Sequence, residues 1–212
     1  MIITWAIIIF TTVTSLIAFP TDVSSIDSIR KPEWFDKFKF NALAIFKYKE
    51  FHRFITYGFI HASWMHLLFN MFTLYFFAGI VEKSFGAVFG KFGGLIYLGF
   101  YFLALVVSTL ADFIKYRNSS YYNAVGASGA VSAILFTSIL LYPNMKIMFI
   151  LLPIPITAWF FGLLFIAYSI FMAKRNMDNI GHSAHIWGAF FGFVFPIIFY
   201  PQLFSAFLEQ IL

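Results

Sequence analysis

Three short runs place polar side chains inside otherwise apolar sequence. The first holds His61 and then Met65-His66-Leu67-Leu68-Phe69-Asn70. A spacing of four residues puts His66 and Asn70 on one helix face. The second is Gly126-Ala127-Ser128-Gly129-Ala130. Its two glycines leave the Ser128 hydroxyl open at a turn, and a helix starting there directs unpaired N–H groups and its positive end at that point. A serine so placed can act as a nucleophile beside an oxyanion site made of backbone donors. The third is Gly181-His182-Ser183-Ala184-His185-Ile186-Trp187-Gly188, extended by Gly192. Gly188 and Gly192 form a G-x-x-x-G pair that lets two helices approach closely. His185 precedes them by three and seven residues and so shares their face. A neutral imidazole held against a serine hydroxyl is what acyl transfer needs, as general base and then acid.

Each run alone also has a plain packing account. His66 and Asn70 can hydrogen-bond neighbouring helices. Gly126, Gly129, Ala130 and Ala133 can form a small-residue face, with Ser128 as a helix cap. His182, outside the Ala184-His185-x-x-Gly188 pattern, reads as a loop or helix-start histidine that affects pH dependence, and Asp112 and Asp178 as interface charges.

The elements that must position these residues are apolar. Of 212 residues 61% are hydrophobic, 11% are charged and 32 are Phe, with a mean hydropathy of +0.86. A soluble domain is about one-quarter charged, so this chain cannot cover a water-facing surface. The class is a polytopic, all-α membrane protein. The net charge of +5 sits mainly in the connections between apolar runs and gives no sign of nucleic-acid binding. Without cysteine there is no disulfide or thiolate metal site, and no H-E-x-x-H occurs, so neither metal nor cofactor is expected.

Six stretches read as spans: Ile2–Phe19 closed by Pro20, Ser63–Val81, Phe92–Ala111 stopped by Asp112, Ser128–Tyr142 closed by Pro143, Ile147–Met172 with Pro153 and Pro155 in its first turns, and Ala184–Phe199 closed by Pro201. The start, lacking a basic leader and a small-residue cleavage site, reads as a first span rather than a removed signal. The long connection 21–60 interleaves acids and bases with Trp34, Phe35, Phe38, Phe40, Phe46 and Phe51, which predicts short helices lying at the membrane interface. One domain, 1–212, holds all of this, and no repeat is visible.

Taken jointly, H-x-x-x-x-H-x-x-x-N, then G-x-S-G, then A-H-x-x-G-x-x-x-G resemble the rhomboid family of intramembrane serine proteases, over about Arg53 to Gly192. The resemblance implies a six-span bundle with a long interfacial first loop, and a Ser128–His185 dyad without a third acid. It implies that His66 and Asn70 help the Ser128 N–H stabilise the oxyanion, and that His61, Arg53 and Glu82 support the site, as do Gly126, Gly129, Gly188 and Gly192. Its expected partners are the lipid bilayer and single-span membrane proteins, cut where a small-residue segment weakens the helix. It points to a bacterial inner membrane, with the site opening away from the cytoplasm through a polar cavity lined by His66, Asn70, Ser128 and His185.

Two positions depart from the family pattern. His52 stands where many members have Trp, and Ser132 where an aromatic ring often packs on the histidine. Trp187 or a neighbouring Phe is then expected to orient His185. The family orientation leaves Lys83, Lys91 and Lys146 inside and the other eleven bases outside, against the positive-inside tendency. A non-catalytic protein binding transmembrane helices is the alternative. A transporter built on His61, His66, His182 and His185 is disfavoured because so few acids accompany them. The sequence does not fix an oligomeric state.

Overall fold

Long apolar runs separated by polar or proline-containing breaks set the order of elements. The computed structural model describes residues 1–19, 33–149, 152–175 and 181–212. Pro20, the front of the first connection with Asp22, Asp27, Arg30 and Lys31, and Asp178 lie outside them. After α1 (Ile2–Ala18) come three short helices, α2 (Glu33–Phe38), α3 (Ala42–Tyr48) and α4 (Arg53–Thr56). Strand β1 (Phe40–Asn41) separates the first two. Asn41 caps α3, its Oδ1 accepting from the Ala44 N–H at 2.7 Å.

Helix α5 (Trp64–Thr73) passes through a π turn at Leu74–Ala78 into α6 (Gly79–Phe89). Helix α7 (Gly93–Tyr116) folds back on α6 so closely that a side-chain carbon at Gly93 would lie 2.4 Å from the Phe85 carbonyl oxygen. Phe85 there meets the rings of Tyr97 and Phe100. Strand β2 (Asn123–Ala124) then leads into α8 (Ser128–Leu141). A hairpin of β3 (Lys146–Phe149) and β4 (Leu152–Thr157) follows, and then α9 (Ala158–Arg175), α10 (His182–Phe199) and α11 (Gln202–Ile211). Helix α8 is the centre of the bundle: every residue from Gly129 to Leu140 is buried. That fits a sequence apolar on all sides, which has no face to give to water.

Several expected boundaries move. The second apolar run continues to Phe89, and α7 runs past Asp112 to Tyr116, because a lone acid with bonded partners does not end a helix. The fifth helix starts at Ala158, not Ile147. Pro153 and Pro155, without N–H groups, suit the outer strand of a hairpin better than a helix. The last expected span begins at His182, and α11 follows Pro201. Among the described residues, three segments can cross a membrane by length and composition, Trp64–Tyr116, Ala158–Arg175 and His182–Phe199, against the six expected. The difference arises because α5 to α7 form one apolar stretch, and α1 and α8, with 17 and 14 residues, are shorter apolar helices.

Candidate active site

Ser128 is the first residue of α8 and is half-buried. Ala127 precedes it as the cap, with no side-chain capping bond, so the Ser128 hydroxyl is not used to close the helix. The loop before it is fastened to the first connection. β2 pairs antiparallel with β1, Phe40 opposite Ala124 and Asn41 opposite Asn123. Asn41 Nδ2 donates to Asn123 Oδ1 at 2.9 Å. The Gly126 N–H donates to the Tyr57 carbonyl at 2.9 Å, and the Ala127 N–H to His61 Nε2 at 3.4 Å. Tyr57 is itself fixed, its hydroxyl donating to the Leu105 carbonyl at 2.8 Å.

Gly126 has φ +110°, and a side-chain carbon there would fall 2.4 Å from His66 Cε1. Glycine is required twice over, for the backbone angle and for room. The His66 ring therefore lies on the backbone just before Ser128. Asn70, one turn further along α5, is buried, and its Nδ2 has no hydrogen-bond partner among the described residues.

The hydrogen bonds of His61 assign its tautomer. Nε2 accepts from Ala127, so the proton is on Nδ1 and is donated to Ser15 Oγ at 2.9 Å. Ser15 in turn donates to the Phe59 carbonyl at 3.2 Å. Complete burial, with His66 adjacent at 5.0 Å between ring centres, lowers the His61 pKa from 6.5 to about 3. The ring stays neutral, as its acceptor role demands.

Helix α10 reaches Ser128 through its glycines. A side-chain carbon at Gly188 would lie 2.1 Å from the Gly129 carbonyl oxygen, and one at Gly192 2.0 Å from that of Ala133. One at Gly129 would lie 2.2 Å from Ser108 Oγ and 3.5 Å from the Ala184 carbonyl oxygen. The residue after Ser128 thus meets the residue before His185, and the starts of α8 and α10 come together. Below them Thr137 Oγ1 donates to the Gly192 carbonyl at 2.6 Å.

The ring packed on His185 comes from α9. Phe165 lies 5.7 Å from it at 32°, while buried His182 meets it edge-on at 5.6 Å. Trp187, the alternative considered from sequence, is exposed and pairs with Phe190. Ser132 is buried within α8.

The remaining residues stand further off. Arg53 is buried and gathers the first connection, its Nη1 donating to the Asp36 and Lys39 carbonyls at 2.6 and 2.8 Å and its Nε to Glu50. His52 Nε2 donates to the Lys37 carbonyl at 3.1 Å. Glu82 accepts from the Ile3 and Thr4 N–H groups at the start of α1.

Sequence reasoning missed Tyr57, Ser108, Phe165 and, above all, Asp112. It is buried and accepts from the Tyr122 hydroxyl at 2.6 Å. An acid at the end of an apolar run was the available signal. One cavity, of about 30 Å³, lies among Phe85, Val88, Phe195 and Phe199. Another, of about 260 Å³, lies between α7, α9 and α10 beside Asp112, His182 and Ser183. Neither is lined by the four residues expected to line the catalytic cavity.

Comparison with known proteins gives this arrangement a family. The chain is 32% identical over 152 residues to RHOMBOID-like protein 12, mitochondrial, of Arabidopsis thaliana, covering 68% of this chain and 45% of that protein. It is 29% identical over 157 residues to Rhomboid-like protein 11, chloroplastic, of the same plant, covering 68% and 50%. The chain thus spans about half the length of these curated relatives. The compartments in those names are said of those proteins and lend no support to a bacterial inner membrane. A family model, the Rhomboid domain, matches residues 48–202, a stretch that holds Arg53, both halves of the glycine-faced α8–α10 contact and the histidines above it, and the chain belongs to the rhomboid family.

Proposed function

We propose that this chain is an intramembrane serine endopeptidase in which Ser128 is the nucleophile and His185 its general base. The observation that carries the proposal is the contact of Gly188 with Gly129, which brings Ala184-His185 to the start of α8. His185 takes the Ser128 Oγ proton as Oγ attacks the scissile carbonyl carbon. The oxyanion forms where the N–H of Ser128, an unpaired first-turn donor, points. His66, against Gly126, and Asn70, with its unpartnered Nδ2, are the side-chain donors to that oxygen. His185 then protonates the leaving amine, and a water it deprotonates releases the acyl group from Ser128.

Six helical rods cross the bilayer in this reading: α1, α5–α6, α7, α8, α9 and α10. The first connection lies at the interface, and the site opens on the side away from the cytoplasm, through water-accessible space at Ser128. An intact helix hides its carbonyls, so the substrates are single-span proteins whose transmembrane segment unwinds at small, helix-weakening residues. The test is hydrolysis of such a substrate by purified protein, together with labelling by a serine-reactive phosphonate. Ser128→Ala and His185→Ala are expected to lose both. Equal cleavage by all three proteins would reject the dyad, and a wild type that neither cleaves nor is labelled would leave the non-catalytic helix-binding reading.

A further inference from the structure

Asp112 has no part in the chemistry above, yet it is a 4% exposed carboxyl in an apolar helix. Such a group is costly to keep unless its bonds are satisfied and useful. Its Oδ2 accepts from the Tyr122 hydroxyl at 2.6 Å, and Ser183 stands beside the same carboxyl, the two lining one cavity. These partners belong to opposite halves of the site. Tyr122 stands just before β2, in the loop that continues through Gly126 to Ser128. Ser183 is the second residue of α10, two before His185.

Both partners can transmit position. The Tyr122 ring is stacked on Tyr116 at 4.1 Å and meets Phe40 edge-on, so its hydroxyl cannot shift without its loop. On α10, Ser183 and His185 are separated by about 200° around the helix axis. Ser183, held against the Asp112 carboxyl, therefore steadies the first turn from the side opposite His185. The glycine contact with α8 sets the distance between the helices, and a second contact at Ser183 limits how far α10 can rotate about its axis. On the open side of the carboxyl is the cavity of about 260 Å³, so packing would not replace a lost bond there.

We propose that Asp112 is a positioning residue: through Tyr122 and Ser183 it ties the nucleophile loop to the first turn of the histidine helix. The proposal rests on the Ser128–His185 reading. The purified full chain is compared with Asp112→Leu, Asp112→Asn, Tyr122→Phe and Ser183→Ala, by phosphonate labelling of Ser128, kcat, KM and thermal unfolding. A small misplacement of reacting groups costs about 10²-fold, so Asp112→Leu is expected to lower labelling and kcat by about that factor with little change in KM. Asp112→Asn keeps an acceptor for Tyr122 and is expected to recover part of the loss. Tyr122→Phe and Ser183→Ala are each expected to slow labelling, and each less than additively with Asp112→Leu.

A folded Asp112→Leu protein labelled at the wild-type rate would overturn the proposal. If that variant does not fold, wild-type labelling of both Tyr122→Phe and Ser183→Ala overturns it. The chain has no cysteine, so paired spin labels can be placed at Asn123→Cys and Gly181→Cys. Their separation is expected to broaden when Ser183→Ala is added, and an unchanged distribution would count against the tie. That measurement needs no turnover, so an unlabelled wild-type Ser128 would reject the protease reading without deciding the tie.

Discussion

The sharpest perturbation of this site is a single methyl group, Gly188→Ala. Its added carbon would stand 2.1 Å from the Gly129 carbonyl oxygen, 2.8 Å from the carbonyl carbon and 3.1 Å from Cα. All three atoms are backbone, so no side chain can turn aside. Ordinary contact begins near 3.4 Å, so α10 must move away from α8 by about 1.3 Å at that point. His185 lies one turn away on the displaced helix, and Ser128 is the residue before Gly129. An ångström of misplacement costs about 10²-fold in rate, and overpacking a core costs about 1–3 kcal/mol. The expected result is a folded protein with a modestly lower unfolding temperature and about hundredfold slower hydrolysis and labelling of Ser128. Gly99→Ala on α7 is the control, since a carbon there meets nothing within 4 Å. It is expected to match wild type in both respects. Wild-type labelling and hydrolysis by Gly188→Ala would refute the view that close α8–α10 packing delivers the histidine.

His61 makes the fold acid-sensitive. Its folded pKa of about 3 lies below the ordinary 6.5, so its contribution to stability is complete above about pH 6.5. It is lost as pH falls towards 3, at up to about 1.4 kcal/mol per pH unit. Unfolding temperatures between pH 7 and 4 are expected to fall less steeply for His61→Gln than for wild type, and parallel slopes would reject the neutral assignment. Arg53→Lys keeps the charge but cannot hold Asp36, Lys39 and Glu50 at once, and bonds to charged groups are worth about 1.5–3 kcal/mol each. Limited proteolysis is expected to cut this variant within residues 33–59 before the helical bundle unfolds; wild-type resistance would show that Arg53 is dispensable.

What could be read from sequence was whatever local spacing decides. The G-x-x-x-G face of α10, the apolar α8 and the pairing of His66 with Asn70 on one face follow from helical periodicity. The start of α8 at Ser128 followed from the glycines around it. Hidden features depended on which distant segments meet. Phe165 is one of many Phe residues in an apolar helix, and nothing in its neighbourhood marks it as the ring beside His185. The β3–β4 hairpin was read as helix because its residues are apolar, although two prolines argued for a strand. Asp112 was judged by its place at the end of an apolar run. Its bonded partner Tyr122 and its neighbour Ser183 come from a loop and a helix start that only the tertiary fold brings to it.

The sequence predicts short interfacial helices in the first connection, and the bonds assign that connection a further task. No side chain of the α8 first turn holds that turn in place through a cap. The loop before it takes one strand pairing from β1, one N–H···O bond from Tyr57 and one N–H···N bond from His61. These three anchors lie in the first connection or at its end, and the Asp112–Tyr122 bond adds a fourth from α7. Arg53 closes that connection on itself, holding the carbonyls of Asp36 and Lys39, and Lys39 is the residue before β1. The path from Arg53 to Ser128 is therefore continuous through backbone bonds, with Lys39 leading to Phe40, Phe40 to Ala124, and Ala124 to Ser128. In the proposed peptidase, a nucleophile at the mouth of a buried helix needs such an outside support, because the helix interior can fix its axis but not the turn that precedes it.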